Sequence, residues 1–241
     1  MGHLDYTAFA QRQRPHIHPI GAELFLTYRL AGTVPNDKIR LYNARGEWLR
    51  NEVRRISNLP SDSNDLLNKQ QLDRLEAFER EWFDKFENIL HKSQFGPSWL
   101  KQHEIAKTVA HGLQVLDGDA YRLDAYSIMS NHVHTVFQPL LTADELIETC
   151  DPFGRLIADT AHPSLARIMQ ALKGRSAYDC NKILGRRGQF WEHENFDRVI
   201  RPGKFNSTVI YVLNNPVKAG LVDTWRDWPW NYVRAELEAD F

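Results

Sequence analysis

The chain has little of what marks exported, membrane-spanning or disulfide-built proteins. Its 241 residues include two cysteines, Cys150 and Cys180, which fit no CxxC spacing, so we predict no disulfide framework. No apolar run of the signal-peptide type occurs near its start, and no stretch of about 18 uncharged apolar residues occurs anywhere. These absences predict a cytoplasmic protein that makes no contact with membranes.

An excess of charge of one sign is also missing. The 30 basic and 31 acidic residues give a net charge of −1 at pH 7, which argues against a protein that coats nucleic acid by bulk charge. A local basic groove is still compatible with this balance. The 42% of hydrophobic residues suits one globular domain with an elaboration, or two small domains.

The segment at residues 121–139, with the sequence YRLDAYSIMSNHVHTVFQP, has the pattern of a β-hairpin. Residues 121–129 and 132–138 are rich in the β-branched, aromatic and aliphatic side chains typical of strands. Residues 130–131, Ser-Asn, lie between these strands and form the predicted turn. We therefore expect two adjacent antiparallel strands.

Two histidines share one strand of this hairpin. Because strand side chains alternate between faces, His132 and His134 are predicted on one face and Val133 on the other. Paired imidazoles are either hydrogen-bonded residues of a sheet or ligands of a metal ion, and residue type does not decide between these. The same His-apolar-His pattern occurs at His16 and His18, but it lies between prolines, where a paired strand is not expected.

The remaining chain predicts a mixed α+β domain. Residues 23–30 read as a first strand, whereas residues 36–114 are charged and helical, with apolar residues at three-to-four spacing over 65–92. We interpret 36–114 as a helical insertion packed on one domain of residues 15–235, and 1–14 as a flexible lead.

A basic run follows the hairpin. Between residues 167 and 204 there are nine basic residues and four acidic ones, interleaved with aromatic residues. This mixture suits phosphate neutralisation and base stacking by single-stranded nucleic acid, although a solvated helix face has similar composition. The basic residues are Arg167, Lys173, Arg175, Lys182, Arg186, Arg187, Arg198, Arg201 and Lys204.

A tyrosine and an amide lie one helical turn apart near the C-terminus. Tyr211 and Asn215 would project from the same face of a helix at about 204–214, ended by Pro216. Core packing with a capping Asn is the ordinary explanation. Together with two imidazoles, however, the pair suggests a cation that polarises a phosphate attacked by a phenol. Because a tyrosine has a pKa of about 10, the cation would have to stabilise the phenolate.

Six motifs together resemble the REP-associated tyrosine transposases, which belong to the HUH single-tyrosine transposase family. The resemblance covers about residues 14–232, and its order and spacing are more specific than any single motif. The motifs are residues 21–35 (GAELFLTYRLAGTVP), 129–134 (MSNHVH), 172–181 (LKGRSAYDCN), 185–201 (GRRGQFWEHENFDRVIR), 211–221 (YVLNNPVKAGL) and 227–230 (DWPW).

The resemblance implies a ferredoxin-like antiparallel sheet flanked by helices, and a Mg²⁺ or Mn²⁺ requirement. It makes His132 and His134 metal ligands, Asn215 the third ligand and Tyr211 the nucleophile. Family members cut single-stranded DNA near REP hairpins and leave a 5′-phosphotyrosine and a free 3′-OH. The expected DNA contacts are Lys173, Arg175, Arg186, Arg187, Arg198 and Arg201.

Several alternatives stay open at this point. Tyr178, with Asn181 three residues on, is a second possible nucleophile, but the match to the family's tyrosine–asparagine motif favours Tyr211. Asn214 is a second possible ligand. A domesticated protein that binds hairpin nucleic acid without cutting it would keep the same residues. A metallohydrolase acting on small molecules would need more carboxylates beside the hairpin, where Asp124 is the nearest. The oligomeric state, monomer or homodimer, is not predicted.

Overall fold

Five antiparallel strands form one sheet in the part of the chain that the structure, a computed structural model, describes: residues 21–57, 64–140, 163–239 and 241. The strands lie in the order β4-β1-β3-β2-β5, so β3 occupies the centre. In chain order they are β1 Leu24–Arg29, β2 Tyr121–Ile128, β3 His132–Pro139, β4 Phe196–Val199 and β5 Asn231–Val233. The three strands predicted from sequence are therefore confirmed, each within a residue of the expected bounds.

Helices connect and flank these strands. In chain order the α-helices of the described residues are α1 Asn36–Ser57, α2 Asn64–Lys92, α3 His103–Val115, α4 Pro163–Ile183, α5 Phe205–Leu213, α6 Asn215–Lys218 and α7 Ala235–Glu238. Apart from α1 and α2, the element order β1-α3-β2-β3-α4-β4 and the antiparallel order β4-β1-β3-β2 are those of the predicted ferredoxin-like α+β fold. Among the described residues, no helix is both long and apolar enough to cross a membrane.

One face of the sheet carries the main hydrophobic core. Alternate residues of β1 (Leu24, Leu26 and Tyr28) point to this face, where α3 and α4 cover them. Helix α4 contributes Leu165, Ile168, Met169 and Leu172 to this core, and also the buried Cys180. Burial raises the pKa of the Cys180 thiol to about 12, so this residue is a core side chain rather than a reactive thiolate.

The chain separates into two compact units, and the smaller one, Gly32–Pro97, ends earlier than the insertion predicted at 36–114. Helix α3 lies within that prediction but belongs to the sheet unit, because Ile105, Val109 and Leu113 are buried in the sheet's core. An apolar stripe has the same spacing whichever neighbour it packs against, so the sequence could not place this boundary.

In the smaller unit, α1 packs against α2. Tyr42 of α1 stacks on Trp82, with ring centroids 4.4 Å apart, and on Phe78, 5.3 Å away. The two ends of this unit meet at Gly96, where a Cβ would lie 2.6 Å from the carbonyl oxygen of Gly32. This close approach, together with a φ of +67°, requires glycine at position 96.

Residues 1–14, the predicted flexible lead, lie outside the described residues. The same holds for His16, His18 and Cys150.

A buried carboxylate ties β2 to the C-terminal segment. Asp124 lies where the register of β2 against β3 shifts between Leu123 and Ala125, which is a β-bulge. Its Oδ1 lies 2.7 Å from Nη2 of Arg234 and 3.2 Å from Nε of Arg122. Burial raises the pKa of Asp124, and the two guanidinium groups oppose the rise.

Replacing Asp124 with alanine should therefore destabilise the fold by about 3 kcal/mol, because two arginines lose a buried partner. Chemical denaturation of the full chain measures this. Glu236→Gln is the matched control, since that exposed carboxylate also faces Arg234, at 3.7 Å, and its loss should change the free energy of unfolding by less than about 0.5 kcal/mol. Equal effects of the two substitutions would contradict the assignment.

Candidate functional site

The two hairpin histidines lie side by side on the sheet face opposite the main core. His134 pairs in register with Thr27 of β1 and Ser127 of β2, and His132 pairs with Arg29. Both imidazoles are fully buried, and their Nε2 atoms are 3.0 Å apart. The predicted placement of both side chains on one face is confirmed.

Hydrogen bonds at the Nδ1 atoms determine what the Nε2 atoms can do. Nδ1 of His132 lies 2.7 Å from Oδ1 of Asn131, and because that oxygen only accepts, Nδ1 carries the proton and Nε2 a lone pair. Nδ1 of His134 lies 2.8 Å from the Thr27 hydroxyl, which can either donate or accept. When both rings are neutral, this pair can therefore adopt two proton arrangements.

In the first arrangement, Nε2–H of His134 donates to Nε2 of His132, and the Thr27 hydroxyl donates to Nδ1 of His134. In the second, Nδ1–H of His134 donates to Thr27, and both Nε2 lone pairs face one another across 3.0 Å. Two facing lone pairs repel unless a cation lies between them. The donor set thus fits a divalent metal ion held by His132 and His134, with Asn131 and Thr27 orienting the rings.

Helix α5 brings Tyr211 to this histidine pair. The ring centroid of Tyr211 lies 6.1 Å from that of His134, with the two planes nearly perpendicular. Phe25 contacts both: it stacks on His134 at 5.8 Å and meets Tyr211 edge-on at 5.8 Å. Val209 and Val212 of α5 are fully buried, whereas Tyr211 stays partly exposed. Packing therefore holds the phenol beside the imidazoles and still accessible from solvent.

Asn215 is buried at the break between α5 and α6. Its Nδ2 donates to the carbonyl oxygens of Tyr211, at 2.8 Å, and of Val212, at 3.3 Å. These bonds cap the end of α5, and Oδ1 is the acceptor atom of this amide, the kind of atom that can ligate a cation. Its role as third ligand stays a prediction, as does the alternative role of Asn214.

The C-terminal segment fixes the end of α5 against the sheet. Trp228 donates from its indole nitrogen to the carbonyl oxygen of Ile128, at the end of β2. Asn231 donates from Nδ2 to the carbonyl oxygens of Leu213, at 2.9 Å, and Trp225, at 2.8 Å. Trp228 therefore ties this segment to β2, and Asn231 ties it to the end of the helix that carries Tyr211.

One cation lies over the Tyr211 ring, and a second lies over the neighbouring Phe25 ring. The ammonium group of Lys218 lies 3.9 Å from the ring centroid of Tyr211, and the guanidinium of Arg198 lies 4.9 Å from that of Phe25. Both residues are exposed. Arg29, opposite His132, is instead buried and paired with Glu192 at 3.3 Å. An anion that approaches the phenol would meet positive charge.

The six predicted DNA contacts separate into two groups. Lys173 donates to the carbonyl oxygens of Glu192 and His193, both at 2.9 Å, and Arg186 donates to Oδ1 of Asn181 at 2.6 Å and lies over the Trp99 ring. Both of these basic residues therefore hold the protein's own loops. The exposed ones are Arg175, Arg187, Arg198 and Arg201.

Tyr178 lies on a different side of the sheet from the histidines. Its helix, α4, packs on the main core face, whereas α5 lies on the face that bears His132 and His134. The phenol of Tyr178 is 71% exposed. Tyr211 is the tyrosine that the structure brings to the imidazoles.

Four residues of the site were missed from sequence. Phe25 and Thr27 reach the histidines only through the register of β1 against β3, which no local pattern records. Lys218 reaches Tyr211 across the break between α5 and α6. Asn131 directly precedes His132, so sequence adjacency is a signal that could have found it, beyond its predicted place in the turn.

Thr27→Val should weaken Mn²⁺ binding about 10-fold or more, because His134 loses the partner that fixes its ring and tautomer. Calorimetric titration of the full chain with Mn²⁺ measures this affinity. Thr135→Val is the matched control: Thr135 is equally buried, lies on the same strand as His134 and bonds Ala125 from the other face. Metal affinity that falls equally in both variants would contradict an orienting role for Thr27.

Comparisons with known proteins add a structural likeness. The sequence matches no protein-family model and no curated protein. A solved structure of a REP-associated tyrosine transposase bound to a REP hairpin aligns with 92% of this chain and 82% of its own, at 14% identity and a TM-score of 0.44. At this level the likeness says nothing of activity or ligand.

Proposed function

We propose that the protein is a metal-dependent single-stranded DNA endonuclease and strand transferase of the transposase type. It would act at REP-type DNA hairpins through a 5′-phosphotyrosine intermediate, with Tyr211 as nucleophile. The observation that carries this proposal is the position of the Tyr211 ring beside His134, whose Nε2 lies 3.0 Å from that of His132. A phenol next to a paired-imidazole ligand set suits nucleophilic attack on phosphorus.

Tyr211 performs the covalent step. Its phenolic oxygen forms a bond to phosphorus while the bond from phosphorus to the 3′ oxygen of the preceding nucleotide breaks. The proton lost by the phenol is balanced by one gained by that oxygen, so the products are a 5′-phosphotyrosine and a free 3′-OH. Phe25 and the buried residues of α5 hold the ring in place for this attack.

His132 and His134, with Asn215 as the proposed third ligand, would hold Mg²⁺ or Mn²⁺. When bound, the cation supplies Lewis-acid polarisation of the scissile phosphate and stabilises the phenolate. Imidazoles alone would suit zinc better, and phosphate oxygens of the DNA would supply the hard ligands that Mg²⁺ and Mn²⁺ prefer. Asn131 and Thr27 keep the rings in the orientation that this requires.

Single-stranded or hairpin DNA is the proposed partner, and the exposed basic residues are its proposed contacts. Arg198 lies next to Phe25, within the surroundings of Tyr211. A second group of proposed contacts lies on or just after α4. There, Arg175 and Arg187 would contact phosphates, and the exposed Tyr178 ring would stack on a base. Binding should weaken with salt, as phosphate contacts do.

Tyr211→Phe should abolish the covalent protein–DNA adduct and leave hairpin binding intact, because the ring packing survives without the attacking oxygen. Incubation with hairpin oligonucleotides and Mn²⁺, followed by a denaturing gel, detects the adduct. Tyr178→Phe is the control and should retain it. His132→Ala combined with His134→Ala should remove metal-dependent cleavage.

An adduct that survives Tyr211→Phe and disappears with Tyr178→Phe would overturn the assignment of the nucleophile. DNA binding without an adduct in the unaltered chain would identify the alternative function, a domesticated hairpin-binding protein.

Arg187→Glu should lower DNA affinity across sequences about 10-fold or more at low salt, because an exposed cation becomes an anion. Arg186→Glu should instead lower the midpoint of thermal unfolding, since its guanidinium bonds Asn181 and lies over Trp99. Fluorescence anisotropy and thermal melts measure the two effects. If Arg187→Glu leaves the DNA affinity unchanged, this basic surface is exposed to solvent and does not contact DNA.

A further inference from the structure

An exposed stripe on α1, in the smaller unit, carries a tryptophan that the proposed reaction does not use. Residues 38, 41, 45 and 48 follow one another at three-to-four spacing, so they share one helix face. Leu41 is 68% exposed and Trp48 is 51% exposed. An exposed leucine and an exposed tryptophan on one helix face form a patch that can serve as an interaction surface.

Other residues of α1 attach this helix to its own unit. Tyr42 is buried against Trp82 and Phe78, and Leu49 is buried as well. The stripe is therefore not a displaced part of the contact between α1 and α2. Its exposure is a property of the folded unit.

Cations accompany the apolar residues of this stripe. The guanidinium of Arg45 lies over the Trp48 ring, 4.4 Å from its centroid, which is a cation–π contact. Lys38 and Arg40 are exposed nearby. The sequence of α1 holds six bases (Lys38, Arg40, Arg45, Arg50, Arg54, Arg55) and three acids (Asp37, Glu47, Glu52), so the helix as a whole is positively charged.

We propose that this stripe (Lys38, Leu41, Arg45 and Trp48) is a second binding surface for single-stranded DNA, with a base stacked on the Arg45 and Trp48 pair. The inference rests on the proposed function for the identity of its partner. Bases stack on aromatic rings and on guanidinium planes regardless of sequence, and the neighbouring cations neutralise phosphates. The smaller unit would thereby contribute to substrate binding.

The charge pattern favours DNA over a second helix. A helical partner needs an apolar seam at successive three-to-four positions, whereas this stripe alternates Lys38, Leu41, Arg45 and Trp48. Beyond the stripe on the same helix, Glu52 and Arg55 form an ion pair at 2.6 Å. Pairing two such stripes would bring like charges together.

The test uses the full chain carrying Tyr211→Phe, in chelator, with a fluorescent single-stranded thymidine oligonucleotide of about 30 nucleotides. Trp48→Ala should lower affinity about 5-fold or more, and Trp48→Phe should restore most of it, because a ring remains for stacking. Phe95→Ala is the matched control: this ring is in the same unit, is 43% exposed and lies outside α1.

Charge is tested separately. Arg45→Ala should lower affinity more than Lys85→Ala, which removes one exposed cation from α2 of the same unit. With the unaltered Tyr211 and Mn²⁺, Trp48→Ala should raise the DNA concentration that gives half-maximal adduct and leave the rate at saturation unchanged.

The inference fails, and the proposed function stands, if Trp48→Ala binds like the unaltered chain while adduct still forms. The proposed function fails, and the inference stands, if no adduct forms but Trp48→Ala still weakens binding. A concentration-dependent dimer that Trp48→Ala converts to monomer, without any change in DNA affinity, would overturn the inference in favour of contact between copies.

Discussion

The position of β3 at the centre of the sheet is the constraint on which the rest of the site depends. Its antiparallel register places Thr27 opposite His134 and Arg29 opposite His132. A slip of one residue would exchange the two faces, because side chains alternate with period two. The register is fixed by the other face, where Val133 and Phe137 are buried in the main core. Hydrophobic burial on one face therefore sets the geometry of the polar site on the other.

Buried packing also explains how Tyr211 is held. Helix α5 is anchored by buried valines, and its end is secured by Asn215 from within and by Asn231 from the C-terminal segment. Phe25 then joins the sheet to the helix, since it contacts His134 and Tyr211 together. A phenol that must meet a phosphate in a defined orientation needs such supports, because misplacement of reacting atoms is costly.

Basic residues illustrate the limit of composition as a guide to binding. A run of nine bases suggested one surface, yet Lys173 and Arg186 use their charges on loop carbonyls and on Asn181. Long cationic side chains near loop ends can donate to carbonyl oxygens of the protein itself instead of to phosphates. Conversely, the sequence of α1 predicts only part of a packed insertion, although Trp48 and Arg45 form an exposed cation–π pair there. Helical spacing identifies a stripe but not whether a neighbour covers it.

The sequence by itself determined the strands, the hairpin, the common face of His132 and His134 and the amphipathic helices, because these follow from local periodicity and turn residues. It also placed Tyr211 one turn from Asn215. Only the tertiary structure decided that α3 packs on the sheet and that Tyr211, rather than Tyr178, lies beside the imidazoles. It alone decided that Thr27 fixes the ring of His134. These contacts join segments far apart in the chain, and strand register and helix packing, which bring them together, depend on the whole core rather than on any local pattern.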